Sequence, residues 1–226
     1  MELKTFMTDA SPDVVQVQLL NEKSGEVFTK KISFQDYLEI LTKSKCVKES
    51  YVQIGELPRG FVDATVAKKG YFKVVVELPS IKRAAIHNSE GKQESYVIPY
   101  PMTLMAFSIK NKNMVESKIY AIKNEDALLY QFPFPNCYSD GGICWGNIKL
   151  PPITYLKDTN ILVESFFGGI YNHDIFSSNH FLVQAVETAS PKSWFQFLNG
   201  KEKFPNEYLK PVGDKKKFIR RYLNIL

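Results

Sequence analysis

Cys144 stands in a stretch whose residue types favour reactivity over packing. The run Phe132-Pro133-Phe134-Pro135-Asn136-Cys137-Tyr138-Ser139-Asp140-Gly141-Gly142-Ile143-Cys144-Trp145 is crowded with turn formers, and Cys144 follows Asn136 by eight residues. The thiolate is the nucleophilic form of cysteine, and an unperturbed thiol with a pKa of about 8.5 is only a few per cent ionised at neutral pH. A loop position offers the accessibility that such chemistry needs. Gly141 and Gly142 allow backbone conformations closed to other residues, so an extended partner chain can approach the sulfur closely. Asn136, after Pro135, is a turn residue that tolerates the left-handed conformation and can bond its own backbone.

The other reactive side chains carry blander readings. Cys137 reads as a structural thiol, with a redox partnership to Cys144 as the alternative. Cys46, just after an expected helix, reads as inert. Cys137, Cys144, His173 and His180 lack the short paired spacings of a zinc site, so no metal and no cofactor is expected. Asp140 and Asp158 are the acids nearest Cys144 in sequence, and both read as solvated loop residues. No Gly-x-x-x-x-Gly-Lys-[Ser/Thr] loop and no Gly-x-Ser-x-Gly elbow occurs, which leaves nucleotide hydrolysis and serine-hydrolase chemistry unsupported.

The elements that must position the loop are mixed. Val14 to Leu20 and Val27 to Ile32 read as a hairpin turning at Asn21 to Gly25, followed by a helix capped by Ser33 and ending near Lys45. Strand-like runs then follow at Phe61–Ala67, Tyr71–Leu78, Lys82–His87, Thr103–Ile109 and Val115–Ile122. The short turns between them favour antiparallel pairing in a meander. Asp158 to Tyr171 reads as a helix weakened by Gly168 and Gly169, and Phe181 to Glu187 as another. The fold class expected is α+β, an antiparallel β-meander with flanking helices. Three segments are expected: an N-terminal hairpin-helix extension over 1–56, a core over 57–190 and a basic C-terminal extension over 191–226.

With 16 Phe and 12 Tyr the chain has ample material for a core. Three cysteines without a secretion signal argue against a disulfide scaffold, so a cytoplasmic protein with free thiols is expected. No apolar run approaches the roughly 20 residues of a membrane span. The net charge is +5, and Lys215, Lys216, Lys217, Arg220 and Arg221 supply that much by themselves. The remainder is balanced, so neither nucleic acid nor membrane is an expected partner, and the basic end, a short helix candidate over Lys215 to Leu226, reads as solvated.

The loop resembles the active-site signature of ubiquitin-conjugating enzymes, in which His-Pro-Asn precedes Gly-x-Ile-Cys by a short stretch. Within that superfamily the chain resembles prokaryotic E2 family D, also called PRTRC system protein B. The resemblance is carried by Leu57-Pro58 and the strands after it, Pro101-Met102-Thr103-Leu104, Leu129-Tyr130 and Ile143-Cys144-Trp145-Gly146-Asn147. It spans Leu57 to His180. It implies a ubiquitin-conjugating-enzyme-like core in which Cys144 carries a ubiquitin-like modifier protein as a thioester, received from a ThiF-like activating enzyme and passed to an amine. It implies that Asn136 either stabilises the developing oxyanion, a contribution of about 3 kcal/mol, or holds the loop. One position departs: Phe134 stands where the family has the loop-bracing histidine. That departure supports the alternative, an inactive interaction module in a plasmid or defence cassette with ParB-related partners.

Overall fold

Alternation of side chains along a strand decides what the sheets here can cover. In the computed structural model the described residues are 2–8, 11–20, 27–43, 52, 54–89, 91–172, 175–176 and 190–224. Cys46, His173, His180 and the helix expected at Phe181 to Glu187 lie outside them. The chain divides into two compact units, Met1–Tyr51 and Val52–Leu226.

In the first unit β1 (Glu2–Thr8), β2 (Ser11–Leu20) and β3 (Val27–Ser33) form an antiparallel sheet in that order. The β2–β3 hairpin is the expected one, with Val14 opposite Ser33 and Leu20 opposite Val27. Helix α1 (Phe34–Lys43) begins at the expected cap, where the Asp36 N–H donates to Ser33 Oγ at 3.0 Å.

The second unit is mixed α+β with mostly antiparallel strands. Its strands are β4 (Phe61–Lys68), β5 (Tyr71–Leu78), β6 (Ile81–Ser89), β7 (Lys92–Tyr100), β8 (Met102–Lys110), β9 (Asn113–Ile122), β10 (Leu128–Gln131), β11 (Ile170–Tyr171) and β12 (Pro211–Asp214). The six-stranded sheet runs β12-β10-β9-β8-β5-β4. The meander is therefore interrupted, because β5 pairs with β8 and skips two strands. Pro79 leaves the sheet at one side of the skip and Pro101 re-enters it at the other. Between them β6 and β7 form a hairpin in a second sheet, joined in parallel by β11.

Both faces of the six-stranded sheet are covered, so its central strands read as unbroken apolar runs. Val74, Val76, Met105 and Phe107 point into the main core, while Val75, Leu104 and Ala106 point into a smaller one behind. Helix α2 (Thr159–Phe167) packs Leu162, Val163, Phe166 and Phe167 into the main core. It stops short of the expected Tyr171: Gly168 and Gly169 end it, and Ile170 begins β11. Helix α3 (Pro191–Leu198), capped by Ser190, buries Trp194, Phe195 and Leu198 in the same core.

The basic end is helical as expected, but it is docked on the core and not solvated. Lys215–Leu223 forms helix α4, capped by Asp214, whose carboxylate accepts the Lys217 N–H at 2.7 Å. Phe218, Ile219, Tyr222 and Leu223 pack on the smaller core while Lys216, Lys217, Arg220 and Arg221 face water. Apolar residues at helical spacing among the cations are what dock it.

Candidate functional site

Strand β10 ends at Gln131 and the chain enters the loop through three buried anchors. Phe132 and Phe134 are fully buried, and Trp194 Nε1 donates to the Pro133 carbonyl at 2.8 Å. Phe134 has the rings of Tyr100 and Phe132 at 4.7 and 5.2 Å, with Phe195, Phe204 and Tyr171 completing the cage. Phe134, at the position where the resemblance led to the expectation of a histidine, is thus held by aromatic packing.

Asn136 then turns the chain with φ of 63°, a left-handed conformation that asparagine tolerates. Its carbonyl accepts the Cys144 N–H at 2.8 Å, and its Nδ2 donates to the Ile170 carbonyl at 2.9 Å. The eight-residue spacing read from the sequence thus brings Asn136 and Cys144 together across the loop. The side-chain amide points to β11 and ties the loop to Ile170.

Cys137 and Ile143 pair across the loop as an antiparallel bridge. Neighbouring residues in such a bridge face opposite sides, so Cys137 enters the core while Cys144 faces out. Cys137 is fully buried and its pKa is raised by that burial, as expected of an inert thiol; both cysteines are free. The two thiols are not joined, and only Cys144 is partly exposed.

Asp140 and Asp158 are structural. Asp140 pairs with Lys118 at 2.7 Å and accepts the Gly142 N–H at 2.9 Å, while Asp158 accepts the N–H groups of Thr154 and Tyr155. Lys118, with the Gly142 amide, holds the Asp140 pKa below its ordinary value. A depressed carboxylate pKa stabilises the fold above the unfolded-state value and ceases to do so as pH falls through the folded one. Asp140 is largely exposed, so the effect is small. We expect Asp140→Asn to cost about 1 kcal/mol or less at pH 6, with the gap to wild type closing below about pH 4, measured by urea denaturation at each pH.

Cys144 opens onto a groove of about 1390 Å³. One wall is the loop itself, from Asn136 and Cys144 through Trp145 to Ile148; the other is α2 and the turn after it, from Asn160 to Ile170. Trp145 is fixed by its Nε1 donating to Ser117 Oγ at 2.9 Å and by edge contact with Phe166. Beside the sulfur stands Tyr138, about half exposed, whose pKa is raised chiefly by its hydrogen bond to Cys144. Tyr138 and the α2 wall were absent from the sequence reading. No local alternation announces Tyr138, because Asn136, two residues before it, turns the chain in the left-handed conformation. Among the described residues there is no group of three or more His, Cys, Asp or Glu able to hold a metal, and no helix long and apolar enough to cross a membrane.

An antiparallel sheet feeding a proline-bounded loop, with its cysteine on a groove against the following helix, is compatible with an E2-like protein. The family model for prokaryotic E2 family D matches residues 42–212, and the chain belongs to that family. No curated protein and no solved structure matches the chain significantly.

Proposed function

We propose that Cys144 carries a ubiquitin-like modifier as a thioester. In the first step the Cys144 thiolate attacks the acyl carbon held by a ThiF-like activating enzyme, whose own thiolate departs. In the second, an acceptor amine attacks the Cys144 thioester, loses its proton to solvent or a nearby base, and an amide forms as the Cys144 thiolate leaves. The observation that supports this reading is the placement of Cys144: it alone of the loop's two thiols opens onto the groove.

Asn136 serves in this reading as the brace of the loop. Asn136→Ala, which loses the amide bond and keeps the left-handed backbone, is expected to cost about 2 kcal/mol of folding stability. Asn136→Gly relieves the backbone and should cost about 1 kcal/mol, so the two losses in urea denaturation separate amide from conformation. Equal losses would assign the role to the amide alone.

A second reading is favoured by one observation, the aromatic cage around Phe134: a family member that keeps the fold as an interaction module for a modifier or for ParB-related cassette proteins. Cys144→Ser separates the two. Incubated with the modifier, the activating enzyme and ATP, a carrier gives a thiol-resistant ester in the variant and a thiol-sensitive adduct in wild type. A module gives no adduct in either, and binds its partner equally well with serine at 144.

A further inference from the structure

A second pocket, of about 190 Å³, adjoins the groove that holds Cys144. Its apolar lining comes from Leu78, Pro79, Ile81, Val163 and Phe167, and it shares Arg59, Asn160 and Glu164 with the groove. Arg83 closes one side, its guanidinium 4.9 Å over the Phe167 ring and bonded to Glu164 at 3.0 Å. Glu164 is thereby neutralised. Arg59 is not: its backbone N–H donates to Asn160 Oδ1 at 3.0 Å, but its guanidinium has no ion-pair or hydrogen-bond partner among the described residues. Arg59 is exposed, so its guanidinium is free to pair with an acidic side chain of a ligand whose neighbouring apolar side chain enters the pocket.

The fold sets the distance between this pocket and the sulfur. Asn160, Glu164 and Gly168 lie four residues apart on one face of α2, so the groove runs about 12 Å along the helix. Its Gly168 end meets the Ile170–Asn136–Cys144 hydrogen bonds, and its Asn160 end meets Arg59. An extended chain covers that length in about four residues.

We propose that the second pocket selects the modifier, taking an apolar side chain about four residues before the terminal carbonyl while Arg59 pairs with an acidic side chain next to it. The inference rests on Cys144 as the carrier. An enclosed apolar pocket discriminates by the area it removes from water, and Arg59 by charge; together they are expected to give at least a tenfold preference.

The test uses the full chain bearing Cys144→Ser and fluorescein-labelled six-residue peptides ending in glycine. The fourth residue from the end is Leu or Ser, and the residue before it is Asp or Lys. Fluorescence anisotropy should show the Leu/Asp peptide binding at least about tenfold more tightly than the Ser/Lys peptide. Adding Arg59→Glu should invert the Asp-over-Lys preference. Adding Ile81→Trp, at a position 42% exposed and so tolerant of size, should fill the pocket mouth and remove the Leu preference. Equal affinities, absence of binding, or preferences unmoved by both substitutions would overturn the pocket. The same peptides as mercaptoethanesulfonate thioesters, offered to wild type, test the carrier separately: Cys144 displaces the small thiolate and gains the peptide mass. Preference without acylation would sink the carrier and leave the pocket; acylation without preference would do the reverse.

Discussion

Phe134→His, which installs the histidine of the ubiquitin-conjugating signature that the loop resembles, is expected to lower folding stability by about 4 kcal/mol at pH 7.5. The fully buried Phe134 ring sits among five aromatic neighbours, and a smaller ring there forfeits contacts as well as burial. An imidazole adds two nitrogens that must find partners, and an unsatisfied buried polar group costs about 1 to 3 kcal/mol. The nearby polar groups already have partners: the Pro133 carbonyl accepts from Trp194, and Tyr171 Oη accepts from the Tyr100 hydroxyl at 3.2 Å. The cost should grow in acid. A histidine kept neutral by burial has a folded pKa below its unfolded value of about 6.5, so the unfolded state takes up the proton first and stability falls as pH drops through that value. The added loss approaches about 1.4 kcal/mol per pH unit below it. Urea denaturation at pH 7.5 and 5.5 reads both effects. A variant as stable as wild type would mean that the loop still offers the histidine a partner, and that aromatic packing is not what braces it.

Gly141→Ala is expected to damage the loop itself. Gly141 has φ of 81°, and a methyl group built there would lie 2.4 Å from Tyr120 Cζ and 2.6 Å from its hydroxyl. The left-handed backbone alone costs a non-glycine residue about 1 to 3 kcal/mol. Relief of the clash must push Tyr120 away, and Tyr120 donates to the Asp140 carbonyl at 2.8 Å. The Gly141 carbonyl in turn accepts the Ile119 N–H at 2.8 Å, so the displacement spreads to β9 and along the loop to Cys144. A shift of about 1 Å at the reacting atom can cost about a hundredfold in rate, so adduct formation should slow at least tenfold, with urea denaturation showing a parallel loss of about 2 kcal/mol or more. Gly91→Ala, at another left-handed glycine with nothing within 4 Å, should leave adduct formation unchanged.

Much of this site was legible where the physics is local. Asn136 and Cys144 meet because turn residues between them close a short loop; Gly168 and Gly169 weaken the helix expected up to Tyr171, but do not by themselves mark its end. What escaped the sequence depends on distant pairing. Arg59 and Asn160 build one end of the groove although 101 residues separate them. The departure of β6 and β7 into a second sheet follows from the pairing of β5 with β8, which no local pattern announces. The stretch after Pro191 alternates aromatics with polar residues, yet Trp194 and Phe195 lie in the core, because α3 turns Phe195 onto Tyr96 of β7 and Trp194 onto the Pro133 carbonyl. The cage around Phe134 is likewise assembled from β7, β11 and α3, so its replacement for a histidine could be seen in sequence while its neighbours could not.

The most direct test of the account is to locate the modifier on the wild-type chain. The purified protein, a ThiF-like activating protein, a ubiquitin-like modifier and ATP are incubated together, quenched without reductant, and analysed by intact mass and peptide mapping, with Cys144→Ala and Cys137→Ala alongside. The account predicts one added modifier less one water, mapped to Cys144, released by thiol, present in Cys137→Ala and absent from Cys144→Ala. An adduct that persists in Cys144→Ala, or no adduct in wild type with an activating enzyme shown to be loaded, would contradict it.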